Sequence, residues 1–300
     1  MTTVTRFAPS PTGDLHLGHA YAAWYAQDVA NRGGGRFLVR VEDIDATRCR
    51  TAFIDRNLDD LRWLGLTWKE PVLRQSERMD LYRDALGRLD DLGITYPCFC
   101  TRAEIRSEVE AAAGAPHVMA PDGGFLYPGT CRARNAAERR ILVASGRPYA
   151  VRLDMGRVIQ RTGGLGWTDR MRGPQSASPE RFGDVVIARK EVETSYHLAV
   201  VVDDAAQGIT EVTRGTDLFD ATHVHRALYA LLDLPVPIWH HHNLCHDEDG
   251  SRLSKRQGDE TIASLRERGH PKEEVLAMAA AAALRPERQS DADEKIPRND

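Results

Sequence analysis

The stretch Arg6-Phe7-Ala8-Pro9-Ser10-Pro11-Thr12-Gly13-Asp14-Leu15-His16-Leu17-Gly18-His19 decides how this chain is read. Val4 to Ala8 is a short apolar run of strand type, Pro9 to Gly13 is a turn that cannot continue it, and the apolar spacing from Leu17 to Val29 is helical. His16 and His19 therefore sit at the mouth of a helix, where unpaired N–H groups and the positive end of the dipole favour phosphate. Gly18 between them lets a ligand approach the backbone. The form is that of a nucleotide-phosphate site, although no Gly-rich loop of the P-loop or dinucleotide type is present. Taken alone, the same spacing also fits two capping histidines at a helix start.

Beyond the helix, Asn31 to Gly35 is a Gly-rich break, and Arg36 to Val41 reads as a buried strand ending at Glu42-Asp43-Ile44-Asp45. Strand, helix, strand begins a parallel sheet whose ligands gather at the carboxyl ends of the strands, so Arg6, Ser10 and Glu42 should converge on one crevice. Position alone also allows Glu42 to be a solvated loop acid or a helix cap. Thr51 to Leu64 and Ser76 to Leu92 carry helical spacing, with Trp63 and Trp68 assigned to the core. Ala136 opens a short helix, Tyr149 to Leu153 is an alternating strand, and Arg157 to Gly183 reads as loop-rich and polar. Val185 to Arg189 and Tyr196 to Val202 are β-branched runs of buried-strand type, the second finishing in Asp203-Asp204. A helix capped by Thr216 or Asp217 then runs from Leu218 to Leu232, and Pro235 to Trp239 is one more strand. It leads into His240-His241-His242-Asn243-Leu244-Cys245-His246, read as a strand whose alternate side chains face crevice and solvent in preference to a second metal site. Thr261 to Leu284 is a helical pair of segments, and the charged stretch 285–300 is expected to be a disordered tail.

With 300 residues, 42% hydrophobic and 28% charged, the chain is long enough for one large domain with an insert. No apolar run approaches the length of a membrane span and no signal-peptide pattern precedes the first strand, so a cytoplasmic location and a monomer are expected. A net charge of -4 argues against indiscriminate nucleic-acid binding; an RNA partner would be held by a local basic face and by shape. The cysteines are Cys49, Cys98, Cys100, Cys131 and Cys245. Cys98 and Cys100 lie two apart in an extended turn before a helix from Ala103 to Ala113, and Cys131 closes a loop back to them. Zinc, with His117 or Tyr127 as fourth donor, and buried free thiols both fit that spacing.

A second segment far downstream, Ser251-Arg252-Leu253-Ser254-Lys255-Arg256, changes the weight of the first. Together they resemble the paired signatures of class I aminoacyl-tRNA synthetases, H-x-G-H and K-[LM]-S-K, with Arg252 in place of the first Lys. The resemblance implies attack of an amino-acid carboxylate on the α-phosphorus of ATP, with His16, His19 and Lys255 as catalytic groups and Gly18 and Ser254 beside them on the nucleotide. No protein nucleophile is needed, only fixed cations and donors where charge builds. The runs R-F-A-P-S-P-T-G-x-L-H-L-G-H, R-V-E-D-I-D, H-L-A-V-V-V-D-D and T-R-G-T-D-L resemble the glutamyl branch, and similarity extends from residue 4 to about 275. Carried over, Arg6, Ala8 and Ser10 would hold the amino acid, Glu42 would meet its ammonium, and Tyr196 and Arg214 would complete the pocket. Arg214 is the natural partner of a side-chain carboxylate.

Only 45 residues follow Lys255, so no independent anticodon-binding domain is expected there. The chain in this respect resembles the short glutamyl-Q-tRNA(Asp) synthetase family. That resemblance implies activation of glutamate without tRNA, transfer to queuosine in the anticodon of tRNA(Asp), Mg2+ with ATP, and one structural Zn2+ on Cys98, Cys100, Tyr127 and Cys131. The expected architecture is α/β: a Rossmann-type parallel-sheet catalytic domain in two halves, 1–95 and 183–260, with an inserted zinc-binding, acceptor-type subdomain at 96–182. A short helical part at 261–284 and the tail at 285–300 complete it. The alternatives are a truncated glutamyl-tRNA synthetase charging the 3′ end of tRNA(Glu), and a non-catalytic synthetase-like RNA-binding protein.

Overall fold

A computed structural model describes residues 2–111, 119–121, 123–253 and 260–288. The opening unit is as expected: β1 (Val4–Phe7), α1 (Leu17–Arg32) and β2 (Arg36–Val41), with Val4 opposite Arg36 and the two strands parallel. The glycines between α1 and β2 allow the return to be tight. A Cβ on Gly35 would fall 1.7 Å from the Thr3 carbonyl oxygen, so only hydrogen fits there. Ala20, Ala23, Ala26 and Ala30 form the buried face of α1, and their small side chains let it lie close to β1 and to the last helix, α10 (Lys272–Leu284). After α2 (Thr51–Trp63), β3 (Leu73–Arg74) adds parallel to β2.

The second half of the sheet comes from far along the chain. β9 (Glu211–Gly215) and β10 (Ile238–His242) pair in parallel, and β10 pairs on its other side with β6 (Gly166–Asp169), which turns back into β7 (Gly173–Ser176). β1 meets β9 edge to edge, tied by Thr210 N–H to Val4 O at 3.0 Å and Val4 N–H to Thr210 Oγ1 at 2.8 Å. The strand order across the molecule is thus β3-β2-β1-β9-β10-β6-β7, and the direction of winding reverses between β1 and β9. Open parallel sheets bind ligands at that reversal, beyond the carboxyl ends of the strands. A smaller antiparallel sheet, β4 (Thr95–Cys98), β5 (Ala150–Leu153) and β8 (Val186–Ala188), follows α3 (Met79–Asp91). α4 (Arg102–Ala111) and α5 (Ala136–Ala144) lie in the excursion between β4 and β5. The expected end of the first of these helices, at Ala113, lies outside the described residues, as does the tail from 289.

Four expectations are corrected. Tyr196 to Val202 is not a strand but the start of helix α7 (Tyr196–Ala206). Leu198, Ala199, Val200 and Val201 are all buried, so the segment has no polar face whose period could separate helix from strand. Arg157 to Gly183 is not loop-rich: it holds α6 (Met155–Thr162) and the β6–β7 hairpin. These elements are short and polar, and pairing with β10 rather than propensity makes the strand. The helix after β9 starts later than expected, as α8 (Ala221–Leu231) behind a 3-10 turn from Thr216 to Leu218; the Asp217 carboxylate accepts from Arg252 Nη2 at 2.6 Å instead of capping. The expected strand at Pro235–Trp239 is shifted onto the histidines, since β10 runs from Ile238 to His242. Trp63 and Trp68 are partly buried and pack against the α1 core, as expected.

One buried carboxylate fastens α7 to the rest. Asp203 accepts from Gln75 Nε2 (2.9 Å), Arg78 Nε (2.7 Å) and Tyr82 Oη (2.8 Å), with Arg40 Nε at 3.8 Å. Asp203→Ala leaves these donors and cations without their acceptor inside the protein. It should cost about 3–5 kcal/mol of unfolding free energy, read from the urea midpoint at pH 7.

Candidate active site

The crevice at the β1–β9 junction is lined by charges held in fixed pairs, with one exception. Arg6 projects from β1, 5% exposed, and donates from Nε to Asp204 Oδ1 at 3.0 Å and from Nη1 to the Thr213 carbonyl at 3.0 Å. Arg40 on β2 donates to Asp204 Oδ1 at 2.7 Å, to Gln207 Oε1 at 2.9 Å and to Glu42 Oε1 at 3.1 Å. Burial would raise the Asp204 carboxyl, but the two guanidiniums overcome it and hold the group below its ordinary value. Glu42 goes the other way: burial raises it in spite of Arg40 and Arg6. Its backbone N–H is held by Pro9 O at 3.1 Å, which sets the β2 end beside the β1 turn. Ala8 is half-buried and Ser10 exposed on that turn.

The exception is Arg214 on β9, 6% exposed. Its donors reach Tyr196 Oη (3.3 Å), His225 Nδ1 (3.2 Å), Thr222 Oγ1 (2.6 Å) and His241 Nε2 (3.0 Å). None of these is a carboxylate, and Arg214 makes no ion pair among the described residues. The two imidazoles are neutral: burial and the Arg214 charge lower His225 well below its ordinary value and bring His241 down to about 3, against the pull of Asp169. Burial also lowers Arg214 itself. The phenol of Tyr196 is raised by burial, with the charges of Arg214, Glu42, Arg6 and Asp204 all acting on it. Four uncharged side chains thus surround the guanidinium. A guanidinium kept in neutral surroundings is a site for one carboxylate, because its fork presents parallel donors and its charge is otherwise uncompensated.

A cavity of about 380 Å³ opens at the N-terminus of α1, lined by His16, Gly18, His19, Gly215, Asp217, Asn243 and Arg252 among others. His16 caps the helix, its Nδ1 accepting from Gly18 N–H at 3.1 Å, and His19 Nδ1 accepts in return from His16 N–H at 3.2 Å. An Nδ1 that accepts leaves the ring proton on Nε2, so each neutral imidazole is a donor at its outer nitrogen. The capping and ligand-binding interpretations of this pair are thus one arrangement seen from two sides. A Cβ on Gly18 would lie 3.0 Å from His16 Cε1, so the glycine makes room for the capping ring as well as for a ligand. The C-terminal part of the chain closes the same mouth: Ile262 N–H bonds Leu15 O at 2.8 Å, and His16 bridges Thr261. Ser254 and Lys255, like His117, lie outside the described residues.

Cys98, Cys100 and Cys131 bring their sulfurs within 4.8 Å of one another. Tyr127 Oη lies 3.5 Å from Cys100 Sγ and accepts from Cys131 N–H at 2.7 Å. Thiolates on one zinc at about 2.3 Å stand roughly 3.8 Å apart, so the donor set fits a tetrahedral ion. The histidine run forms no such group among the described residues. His240 faces Tyr25 and Glu211 on one side of β10, and His241 faces Arg214 and Asp169 on the other. The sequence reading missed Asp204, Arg40, Asp169, Thr222, His225 and His241 as parts of the site. The alternation along His240–His242 was the available signal for His241.

Residues 2–294 match the family model of class I tRNA synthetases (E and Q), catalytic domain. The glutamyl-Q tRNA(Asp) synthetase of Rhodobacter capsulatus is 50% identical over 280 residues, covering 89% of this chain and 95% of that protein. That of Symbiobacterium thermophilum is 43% identical, over 92% of this chain and 84% of its own. Among solved structures, a glutamate tRNA ligase from Elizabethkingia meningosepticum in complex with its amino acid has a TM-score of 0.77 at 27% identity, covering 93% of this chain. The chain spans 60% of the length of that ligase. No helix among the described residues is long and apolar enough to cross a membrane.

Because Arg214 is buried without a carboxylate, replacing it with an apolar side chain of similar length removes a desolvated charge and breaks no ion pair. Arg214→Met removes a desolvated charge but also the partner of four polar groups, so it should lower the urea midpoint by less than Asp203→Ala does.

Proposed function

The chain belongs to the class I tRNA synthetases of the E and Q type, and we propose that it activates glutamate with ATP in the absence of tRNA and transfers the glutamyl group to queuosine in the anticodon of tRNA(Asp). The observation that carries this reading is the guanidinium of Arg214, buried with no ion pair among the described residues, beside a histidine-capped helix mouth. The 50% identity to a glutamyl-Q tRNA(Asp) synthetase, over nearly the whole of that protein, supports the choice of acceptor.

Glutamate binds with its side-chain carboxylate on Arg214 and its ammonium toward Glu42, whose charge is already half shared with Arg40. Arg6 Nη2 makes no hydrogen bond among the described residues and serves the α-carboxylate. Ser10 and Ala8 border the same turn. An oxygen of that α-carboxylate forms a bond to the α-phosphorus of ATP as the bond from that phosphorus to the α–β bridging oxygen breaks, and pyrophosphate departs; Mg2+ accompanying ATP would offset its negative charge. Charge grows on the phosphoryl oxygens during this step. The Nε2–H groups of His16 and His19, the N–H groups at the start of α1 beside Gly18, and the cations Arg252 and Lys255 next to Ser254 stabilise it there. A hydroxyl of the queuosine cyclopentenediol then attacks the glutamyl carbonyl and AMP leaves. Cys98, Cys100, Cys131 and Tyr127 would hold a single Zn2+, whose role would be structural, fastening the excursion between β4 and β5. The enzyme works in the cytoplasm, where its substrates are.

Pyrophosphate exchange should therefore proceed with glutamate and without RNA, and should fall about 100-fold or more in Lys255→Ala, as removal of a transition-state charge partner does. Exchange that requires tRNA, or that prefers glutamine or aspartate, would overturn the reading. Labelled glutamate should appear on tRNA(Asp) only when queuosine is present; label on the periodate-sensitive 3′ end of tRNA(Glu) would support ordinary aminoacylation instead. Protein purified without chelator should hold about one zinc per chain by metal analysis, and Cys131→Ser should lose it while retaining adenylation.

A further inference from the structure

Arg214 is aimed by a relay that no part of the reaction scheme above uses. Its Nε–H meets His241 Nε2 at 3.0 Å, and the other ring nitrogen of His241, Nδ1, lies 2.7 Å from Asp169 Oδ2. All three side chains are buried, His241 and Asp169 to 2% and 1% exposure. A guanidinium only donates, so His241 Nε2 must be the acceptor and the ring proton must sit on Nδ1, facing the carboxylate. The hydroxyl of Thr222, 3.3 Å from the same Nε2, agrees with that assignment, since it accepts from Arg214 Nη2 and has its own proton to give. Asp169 is itself fixed. Its Oδ1 accepts from Met171 N–H and Arg172 N–H, both at 2.9 Å, in the turn between β6 and β7.

We infer that Asp169 is a positioning residue for glutamate recognition: it holds His241 in the Nδ1–H tautomer, so that Nε2 can accept from Arg214 and set the angle of the guanidinium fork. The inference rests on the reading of Arg214 as the side-chain carboxylate site. Its physical content is that a neutral imidazole offers an acceptor at one nitrogen only, and the neighbour of the other nitrogen chooses which. A carboxylate in place of His241 would also orient Arg214, but it would neutralise the charge that a substrate carboxylate needs. The imidazole orients without compensating, and Asp169 keeps its own charge one ring away.

Asp169→Asn tests this with an isosteric change. The two turn N–H groups hold the amide oxygen, which turns the NH2 toward His241 Nδ1, forces the ring proton to Nε2 and sets two donors, Nε2–H and Arg214 Nε–H, against each other. The expected result is a rise of about 10- to 100-fold in KM for glutamate in pyrophosphate exchange, with KM for ATP unchanged, the size usual for losing the partner that orients a liganding imidazole. Selectivity for glutamate over glutamine should shrink with it. His241→Gln, whose amide can donate to Asp169 and accept from Arg214, should raise KM for glutamate less than Asp169→Asn does, although it loses the whole ring. Packing alone would give the opposite order. Nitrogen-15 NMR of imidazole-labelled wild-type protein should show the His241 proton on Nδ1, and in Asp169→Asn on Nε2. A wild-type Nε2–H tautomer, or an Asp169→Asn enzyme with unchanged KM for glutamate, would overturn the inference. Failure of the functional reading is a separate result: absence of glutamate-dependent exchange in the wild type, with the NMR tautomer still as described.

Discussion

The molecule depends on two adjacent carboxylates, Asp203 and Asp204, at the end of helix α7. Between them they hold Arg6 from β1, Arg40 from β2 and Arg78 from the segment before α3. This knot draws three separate pieces of chain onto one point beneath the β1–β9 junction. Burying charge is costly, and the cost is met only where each ion has a close partner and its remaining hydrogen-bonding groups are occupied. Glu42 supplies the third carboxylate, on Arg40. The three guanidiniums and three carboxylates balance, which leaves Arg214 as the charge in the pocket that the protein does not compensate.

That imbalance has a direct meaning for binding. An amino acid with two carboxylates and one ammonium carries one net negative charge at neutral pH, which matches what the pocket lacks. A neutral amide in the same place would leave Arg214 buried against uncharged groups on every side. On the proposed reading, selection is a property of the whole crevice, since Arg214 stands out only because Arg6 and Arg40 are already paired with Asp204.

The nucleotide side has a different logic. His16 and His19 satisfy the start of α1 through their Nδ1 atoms, and by doing so they present Nε2–H outward. The cavity they line is completed from the far end of the chain, where Arg252 bonds Asp217 and Ile262 bonds Leu15. α10 lies along α1 through a run of alanines, so the C-terminal helices act as a brace for the helix mouth. Two surfaces 240 residues apart in sequence become one wall.

Local signals carried far in this chain. Strand, turn and helix from Val4 to Arg32 were legible because a proline-rich turn and a clean helical spacing are decided within a few residues, and His16 and His19 sit inside that unit. Of the paired signatures, His16, Gly18 and His19 line one cavity with Arg252 and Leu253, and the cysteine spacing brought three sulfurs within 4.8 Å of one another. α7 and the β6–β7 hairpin were not legible. The first is buried all round and shows no period; the second is a strand only because β10 lies beside it. Asp204, Asp169 and His241 matter for the same reason: each acts on a partner far from it in sequence, across strands that pair late. What could be read along the chain was the histidine-capped helix mouth and the parallel sheet that carries it. Tertiary structure alone decided which arginine stays uncompensated, because charge balance in a buried pocket is settled by what the chain packs together and not by its order.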